Sequence, residues 1–349
     1  MVTSLLKDLI QINSVSGKEE EIIDFIYSYA DEKNFNPQRI GKNVIFSLGE
    51  GKEKLIFNSH IDTVKPSGSW KFDPFKAIEK DDKIYGLGAS DNKGSAAAML
   101  KAAEKIDESK LEKEVIFSFV EKEELDGSGT RKTMEWLKEN KDLKNTAAVI
   151  GEPTGLEKVL EGCKGTSWIK LTATAEGGHA SKDLENPIES VYKVLKQFED
   201  QIEGEGKPKP KIELTGIKSG DSINKIPSKA VAKFDIRTVP DFTAENVEET
   251  LENIIEDLEI EANFKFAEQP CPASDSTGSE IVNFVKEKTG ADSEFAKAAN
   301  DSCFFTENNI NAAVLGPGQE ETIHKPDEYI EKSKLKQGVE VYKEIAEAW

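Results

Sequence analysis

The chain holds three histidines in 349 residues, and each stands where a strand end or a glycine-rich loop would present it. His60 lies in Asn58-Ser59-His60-Ile61-Asp62, just past the apolar run Leu55-Ile56-Phe57. Residues two apart on an extended strand point the same way, so His60 and Asp62 emerge together at the C-terminal end, where open α/β sheets place ligands. A carboxylate so placed holds an imidazole in one tautomer and raises its basicity as a metal ligand. Asp91 follows in Gly86-Leu87-Gly88-Ala89-Ser90-Asp91, just before a helix opened by Gly94, a setting that suits a bridging metal carboxylate. The same glycines do not make a dinucleotide fingerprint, because GxGxxG needs glycine where Asp91 stands and the carboxylate would repel a pyrophosphate.

Glu123 and Glu124 come after the run Val115-Ile116-Phe117-Ser118-Phe119-Val120, with Gly127 and Gly129 turning the chain behind them. Adjacent carboxylates point apart, so one can bind metal while its neighbour serves as a base. Glu152 in Gly151-Glu152-Pro153-Thr154 and His324 in a later loop leave two further buried runs, and His179 sits in Gly177-Gly178-His179-Ala180-Ser181. His60, Asp91, Glu124, Glu152 and His324 form a nitrogen and oxygen donor set without thiolate, with Glu123 left over as base. Such a set can hold two divalent ions roughly 3.5–4 Å apart with Asp91 between them, zinc by default and cobalt or manganese tolerated.

These residues need a scaffold that brings strand ends together. The runs 43–48, 54–60, 114–120 and 147–150 read as buried strands, and 94–106 and 130–140 as helices. That alternation predicts an α/β domain with a mostly parallel sheet. Leu5, Leu6, Leu9 and Ile10 are helically spaced, and Ser16-Gly17-Lys18-Glu19 reads as a capping box opening a second helix. From 166 the order becomes strand, helix, strand, strand, helix, strand, the split-βαβ or ferredoxin-like unit, with 204–211 as a turn-rich linker. After 268 the α/β pattern resumes with a helix at 279–290, a strand at 311–316 and a C-terminal helix. The expected organisation is therefore a catalytic domain of residues 1–165 and 269–349 with an inserted α+β domain, 166–268.

A formal charge of −20 excludes nucleic acid and anionic membranes as main partners, since both repel an acidic chain. No apolar run reaches the ~18 residues of a membrane span, and the first residues lack a signal peptide's features. Three scattered cysteines, Cys163, Cys271 and Cys303, support neither a disulfide framework nor a metal knuckle, and a reducing cytoplasm is expected. Arginine occurs only at 39, 131 and 237; Arg237 offers a planar fork suited to a carboxylate, or to a surface ion pair.

The ordered motifs HxD, DxKG, EE, GEPT, GGHAS and GPG…HxPDE resemble the dinuclear-zinc aminoacylase and peptidase family over nearly the whole chain. Segments 70–94 and 315–331 look most like its acetylornithine deacetylase and lysine-biosynthesis branches. The resemblance implies one metal on His60, Asp91 and Glu152, a second on Asp91, Glu124 and His324, Asp62 orienting His60, and Glu123 as general base. It also implies a homodimer through 166–268, with His179 reaching the partner's site to stabilise the oxyanion, and Asn224 and Arg237 binding the substrate carboxylate. Two departures stand out: Lys122 replaces the Asp that usually precedes the Glu pair, and Asp126 a usual glycine, which leaves a register using Glu121 as the alternative. The implied reaction is hydrolysis of an N-acyl amino acid, first N-acetylornithine. Alternatives are release of lysine or ornithine from an amino-group carrier protein, succinyl-diaminopimelate desuccinylation and peptidase activity. A single lysine, Lys164, stands where desuccinylases tend to pair arginines. A catalytically silent binding protein on the same fold is the reading from a different class.

Overall fold

The computed structural model describes residues 1–202 and 208–349. The first half of the 204–211 linker, 204–207, thus lies outside the described residues. The chain forms two compact units: Met1–Gly162 with Asp275–Ala296 and Asn300–Trp349, and Cys163–Ser274 with Lys297–Ala299.

The first unit is built on a large mixed sheet in the order Gln38–Ile40, Asn43–Leu48, Glu114–Val120, Lys54–His60, Thr146–Ile150, Asn311–Val314, Lys158–Cys163. Its four central strands, Glu114–Val120 to Asn311–Val314, are mutually parallel, and the flanking pairs are antiparallel. Strands buried on both faces need no alternation: all seven residues of Lys54–His60 and of Glu114–Val120 are buried. Register places Phe46 and Phe57 on either side of Phe117, and the three rings stack at 5.1 and 5.2 Å. Tyr342, from the C-terminal helix Lys332–Ala348, closes this ladder edge-on against Phe57 at 5.6 Å. Parallel strands require crossovers, and the helix Lys93–Ala103 supplies one whose residues Ala96, Ala97 and Ala98 are small enough to be fully buried. A small sheet of Ile78–Lys80, Lys83–Tyr85 and Tyr329–Glu331 stands apart.

The second unit carries four strands in the order Lys211–Ser219, Lys229–Thr238, Gly165–Thr174, Ala262–Phe266, all antiparallel. The helices Pro187–Ile202 and Ala244–Asp257 supply Val191, Val194, Phe198, Val247, Leu251 and Ile254 to one core with the sheet's buried face. With the chain order strand, helix, two strands, helix, strand, this is the ferredoxin-like arrangement. Clean burial alternation along Gly165–Thr174 and Lys229–Thr238 shows why the period-2 pattern is so plain there. Among the described residues no helix is long and apolar enough to cross a membrane.

Candidate metal centre

The candidate residues converge at the C-terminal edge of the parallel strands. His60 ends its strand, Glu123 and Glu124 follow Glu114–Val120, Glu152 follows Thr146–Ile150, and Asp91 comes from the loop before Lys93–Ala103. His60 Nε2 lies 3.0 Å from Asp91 Oδ1 and 3.9 Å from Glu152 Oε1. His324 Nε2 lies 3.4 Å from Asp91 Oδ2 and 2.8 Å from Glu124 Oε1. Asp91 therefore turns one oxygen to each histidine, and each histidine has a further glutamate beside it. Ligand atoms of His60, Asp91 and Glu124 all fall within 4.8 Å of one another.

Asp62 is fully buried against the far side of the imidazole, with Oδ1 3.4 Å from His60 Nδ1. The same carboxylate accepts the Glu123 N–H at 3.1 Å, the Glu124 N–H at 3.3 Å and the Ser16 hydroxyl at 2.6 Å. One side chain thus fixes both the His60 ring and the backbone that carries the glutamate pair. Glu121, the alternative register, is instead buried with Oε1 2.9 Å from Lys132. Gly129 is required here, because a Cβ would meet the Glu121 carbonyl oxygen at 2.1 Å. Lys122 enters the turn with φ 58°, and its carbonyl accepts three N–H groups, from Leu125, Asp126 and Gly127.

The electrostatics are those of crowded acids. Burial alone would lower the His60 pKa, but hydrogen bonds to Asp62 and Asp91 outweigh it and hold the ring well above its ordinary value. His324, bonded to Asp91 and Glu124, is pushed up to about 10. Asp91, despite burial, is held well below the usual carboxylate range by the two histidines. Burial raises Glu123 and Glu152 well above that range, against the pull of His60 and with help from neighbouring carboxylates. Glu124 is raised as well, burial being the first cause. Behind them Asp301, bonded to the Asn58 amide at 2.9 Å, is pushed up to about 6 by burial.

This donor set fits divalent cations. Among the described residues Glu152 Oε1 is buried with no hydrogen-bond partner, which is costly unless something positive satisfies it. Asp62, Asp91, Glu123, Glu124, Glu152 and Asp301 face only two histidines among the groups just described. Neutral imidazole and carboxylate without thiolate is the chemistry of zinc, cobalt and manganese sites.

His179, Asn224 and Arg237 all lie on the other unit. The short strand Gly178–His179 pairs with Lys225–Ile226, and the Ala180 N–H donates to the Asn224 carbonyl at 3.0 Å, so His179 and Asn224 are neighbours. His179 is exposed, its Nδ1 2.8 Å from Ser181 Oγ. Arg237 is engaged in a two-pronged ion pair, Nε to Asp235 Oδ1 at 2.9 Å and a terminal nitrogen to Oδ2 at 3.0 Å, and it also donates to the Thr166 hydroxyl at 3.0 Å.

Four residues of the centre have roles that escape a sequence reading. Ser16 does not form a capping box: the helix runs Glu20–Glu32 with Glu19 as its N-cap, and the Ser16 hydroxyl goes to Asp62. Glu19 is buried, its Oε1 accepting the Gly17 N–H at 2.6 Å. Asn58 and Asp301 meet across 243 positions, and no local signal announces such a pair.

Residues 56–348 match the peptidase family M20/M25/M40. The chain belongs to this family of peptidases. It is 29% identical over 359 residues to an acetylornithine deacetylase of Buchnera aphidicola subsp. Acyrthosiphon pisum, covering 93% of this chain and 92% of that protein. In fold it is similar to an M20 family metallo-carboxypeptidase from Sulfolobus solfataricus, with TM-score 0.79, 18% identity and coverage of 99% and 98% of the two chains. It is also similar to a dinuclear metal-binding peptidase of the M20 family from Bacillus subtilis, with TM-score 0.75, 18% identity and coverage of 99% and 96%.

Proposed function

We propose that the chain is a metal-dependent amidohydrolase that removes the acyl group from an N-acyl amino acid, N-acetylornithine first among them. The observation that carries the reading is Asp91, whose two oxygens each face one histidine and so divide the donors into two halves. His60, Asp91 and Glu152 would hold one divalent cation, and Asp91, Glu124 and His324 a second. Bound there, the cations would supply Lewis acidity, polarising the amide carbonyl and making water acidic enough to lose a proton near neutral pH.

The chain's own residues account for the proton traffic. Glu123 takes the proton of the attacking water, holds it in a buried setting that favours its neutral acid, and returns it to the amine nitrogen as the C–N bond breaks. One carboxylic acid and one free amine result. Asp62 keeps Glu123 in place through its backbone N–H and keeps His60 in one tautomer. In this proposal residues 166–268 form a lid and dimerisation domain, His179 stabilises the oxyanion in the partner's site, and Asn224 with Arg237 binds the substrate carboxylate. The name of the Buchnera relative supports an acetylated substrate.

The test is amine release from N-acetyl-L-ornithine, N-succinyl-diaminopimelate and a dipeptide panel, with zinc- or cobalt-loaded protein, a chelated control and Glu123→Ala. Chelator-sensitive turnover of the acetylated substrate, lost in the variant, supports the proposal. Turnover of dipeptides alone replaces the substrate, and no turnover of any small amide by metal-loaded protein rejects it.

A further inference from the structure

Two motif residues have no part in the proposed chemistry, Lys93 of Asp91-Asn92-Lys93-Gly94 and Glu328 of His324-Lys325-Pro326-Asp327-Glu328, and the fold brings them together. Glu328 is 1% exposed, yet it is no orphan. Its Oε2 accepts the Gly88 N–H at 3.1 Å, and its Oε1 accepts the Ser90 N–H at 2.8 Å and the Asp91 N–H at 3.0 Å. Three amides of one loop converge on one carboxylate, and the last belongs to Asp91 itself. The neighbouring chain ties the same loop down: the Gly86 N–H donates to the Glu328 carbonyl at 3.0 Å and the Ser90 hydroxyl to the Tyr329 carbonyl at 2.7 Å. The wrap is tight, since Gly88 has φ +80° and a Cβ there would meet Thr63 Cγ2 at 2.8 Å.

A buried carboxylate needs a counter-charge as well as donors. Lys93, also 1% exposed, is the nearby cationic group: its Nζ donates to the Ile12 carbonyl at 2.8 Å, and the Glu328 charge acts against the burial that pulls its pKa down to about 7. Asp327, next in the chain, makes a comparable tether to a different loop, accepting the Lys71 and Phe72 N–H groups at 2.8 and 3.1 Å.

We propose that Glu328 is a positioning residue of the metal centre: its carboxylate gathers the N–H groups of Gly88, Ser90 and Asp91, fixing Asp91 so that it offers one oxygen to each half of the donor set. The proposal rests on the reading of Asp91 as the shared ligand. A carboxylate suits the place because both of its oxygens accept, whereas the amide of glutamine would turn N–H against N–H. The residue acts through Asp91 and not on substrate.

The test compares full-length wild type, Glu328→Gln and Asp327→Asn, stripped with chelator and titrated with Co²⁺ against a chromophoric competitor, while the visible cobalt absorption and the thermal midpoint are recorded. Glu328→Gln is expected to lose 10–100-fold in cobalt affinity with a changed absorption band. Asp327→Asn is expected to lower the midpoint while keeping wild-type affinity and spectrum, because its tether leads elsewhere. Wild-type affinity and spectrum in Glu328→Gln overturns the inference, as does an equal loss in Asp327→Asn, which would make the effect one of general stability. If Glu328→Gln does not fold, Glu328→Asp keeps the charge beside Lys93 but withdraws the oxygens by one methylene; the same loss is expected, and unchanged affinity overturns the inference. Failure of the wild type to take up cobalt at all is a different result, which rejects the metal centre itself.

Discussion

Metal binding by this chain should release protons at a pH where ordinary histidines have none to give. His60 is held well above its usual value by Asp62 and Asp91 against the effect of burial, and His324 is pushed up to about 10 by Asp91 and Glu124. His324 is therefore charged at pH 7.5 in the metal-free protein and His60 is biased toward its charged form, and both must be neutral to ligate. Binding should expel about one proton per chain from His324 and a further share from His60, with any from Glu124, Glu152 or Glu123 in addition. A histidine of ordinary pKa near 6.5 would contribute only about 0.1 proton at that pH. The apparent affinity for the pair should accordingly rise at least about tenfold per pH unit between roughly pH 7 and 8.5, the His324 proton alone accounting for that slope. Stability of the chelated protein moves the other way. Raised histidine pKa values add stability that is fully present below about 6.5 and lost as the pH rises through the folded values, about 10 for His324. Asp301, raised to about 6, adds stability as it takes up its proton below that pH, so both terms favour the chelated protein on acidification. The assay is calorimetric zinc titration in buffers of different ionisation enthalpy, whose slope counts protons. Release of fewer than about one proton, with affinity flat from pH 7 to 8.5, would refute the reasoning, because the histidines would then be neutral already or not ligands.

Further outcomes follow from single contacts. Asp62→Asn removes an acceptor shared by Ser16, Glu123, Glu124 and the His60 ring, and should weaken zinc about 10–100-fold by chelator competition, beyond any fall in kcat. Phe57→Ala takes a fully buried ring from between Phe117 and Tyr342 and should cost about 3–5 kcal/mol, read from the urea midpoint. Arg237→Lys should raise KM for the preferred substrate about 10–100-fold with kcat little changed if the guanidinium binds the substrate carboxylate, whereas an unchanged KM assigns it to Asp235 and Thr166 only.

Much of this could be read from the sequence because the relevant signals are local. Asn43–Leu48, Lys54–His60 and Glu114–Val120 each contain a short apolar run, and the last two lead to the candidate residues His60, Glu123 and Glu124. The ferredoxin-like unit is equally plain, since its strands Gly165–Thr174 and Lys229–Thr238 bury one face and alternate without interruption. What escaped depends on distance or brevity. The three-residue strands Ile78–Lys80, Lys83–Tyr85 and Tyr329–Glu331 are too short to show a period. Lys158–Cys163 mixes lysine, glutamate and glycine and offers no run at all. Ser16 had a good local partner in the capping pattern, and a tertiary carboxylate, Asp62, took its hydroxyl instead. Glu328 belongs to the HxPDE motif, but its part in holding the Asp91 loop depends on a tertiary contact that no local pattern shows.

The central claim is that one aspartate serves two cations, and the most direct measurement is zinc per chain by elemental analysis after reconstitution and gel filtration, for wild type and Asp91→Ala. Two zinc ions per wild-type chain, falling below one when the shared carboxylate is removed, is the predicted result. A single ion in the wild type, or two retained in Asp91→Ala, would contradict it.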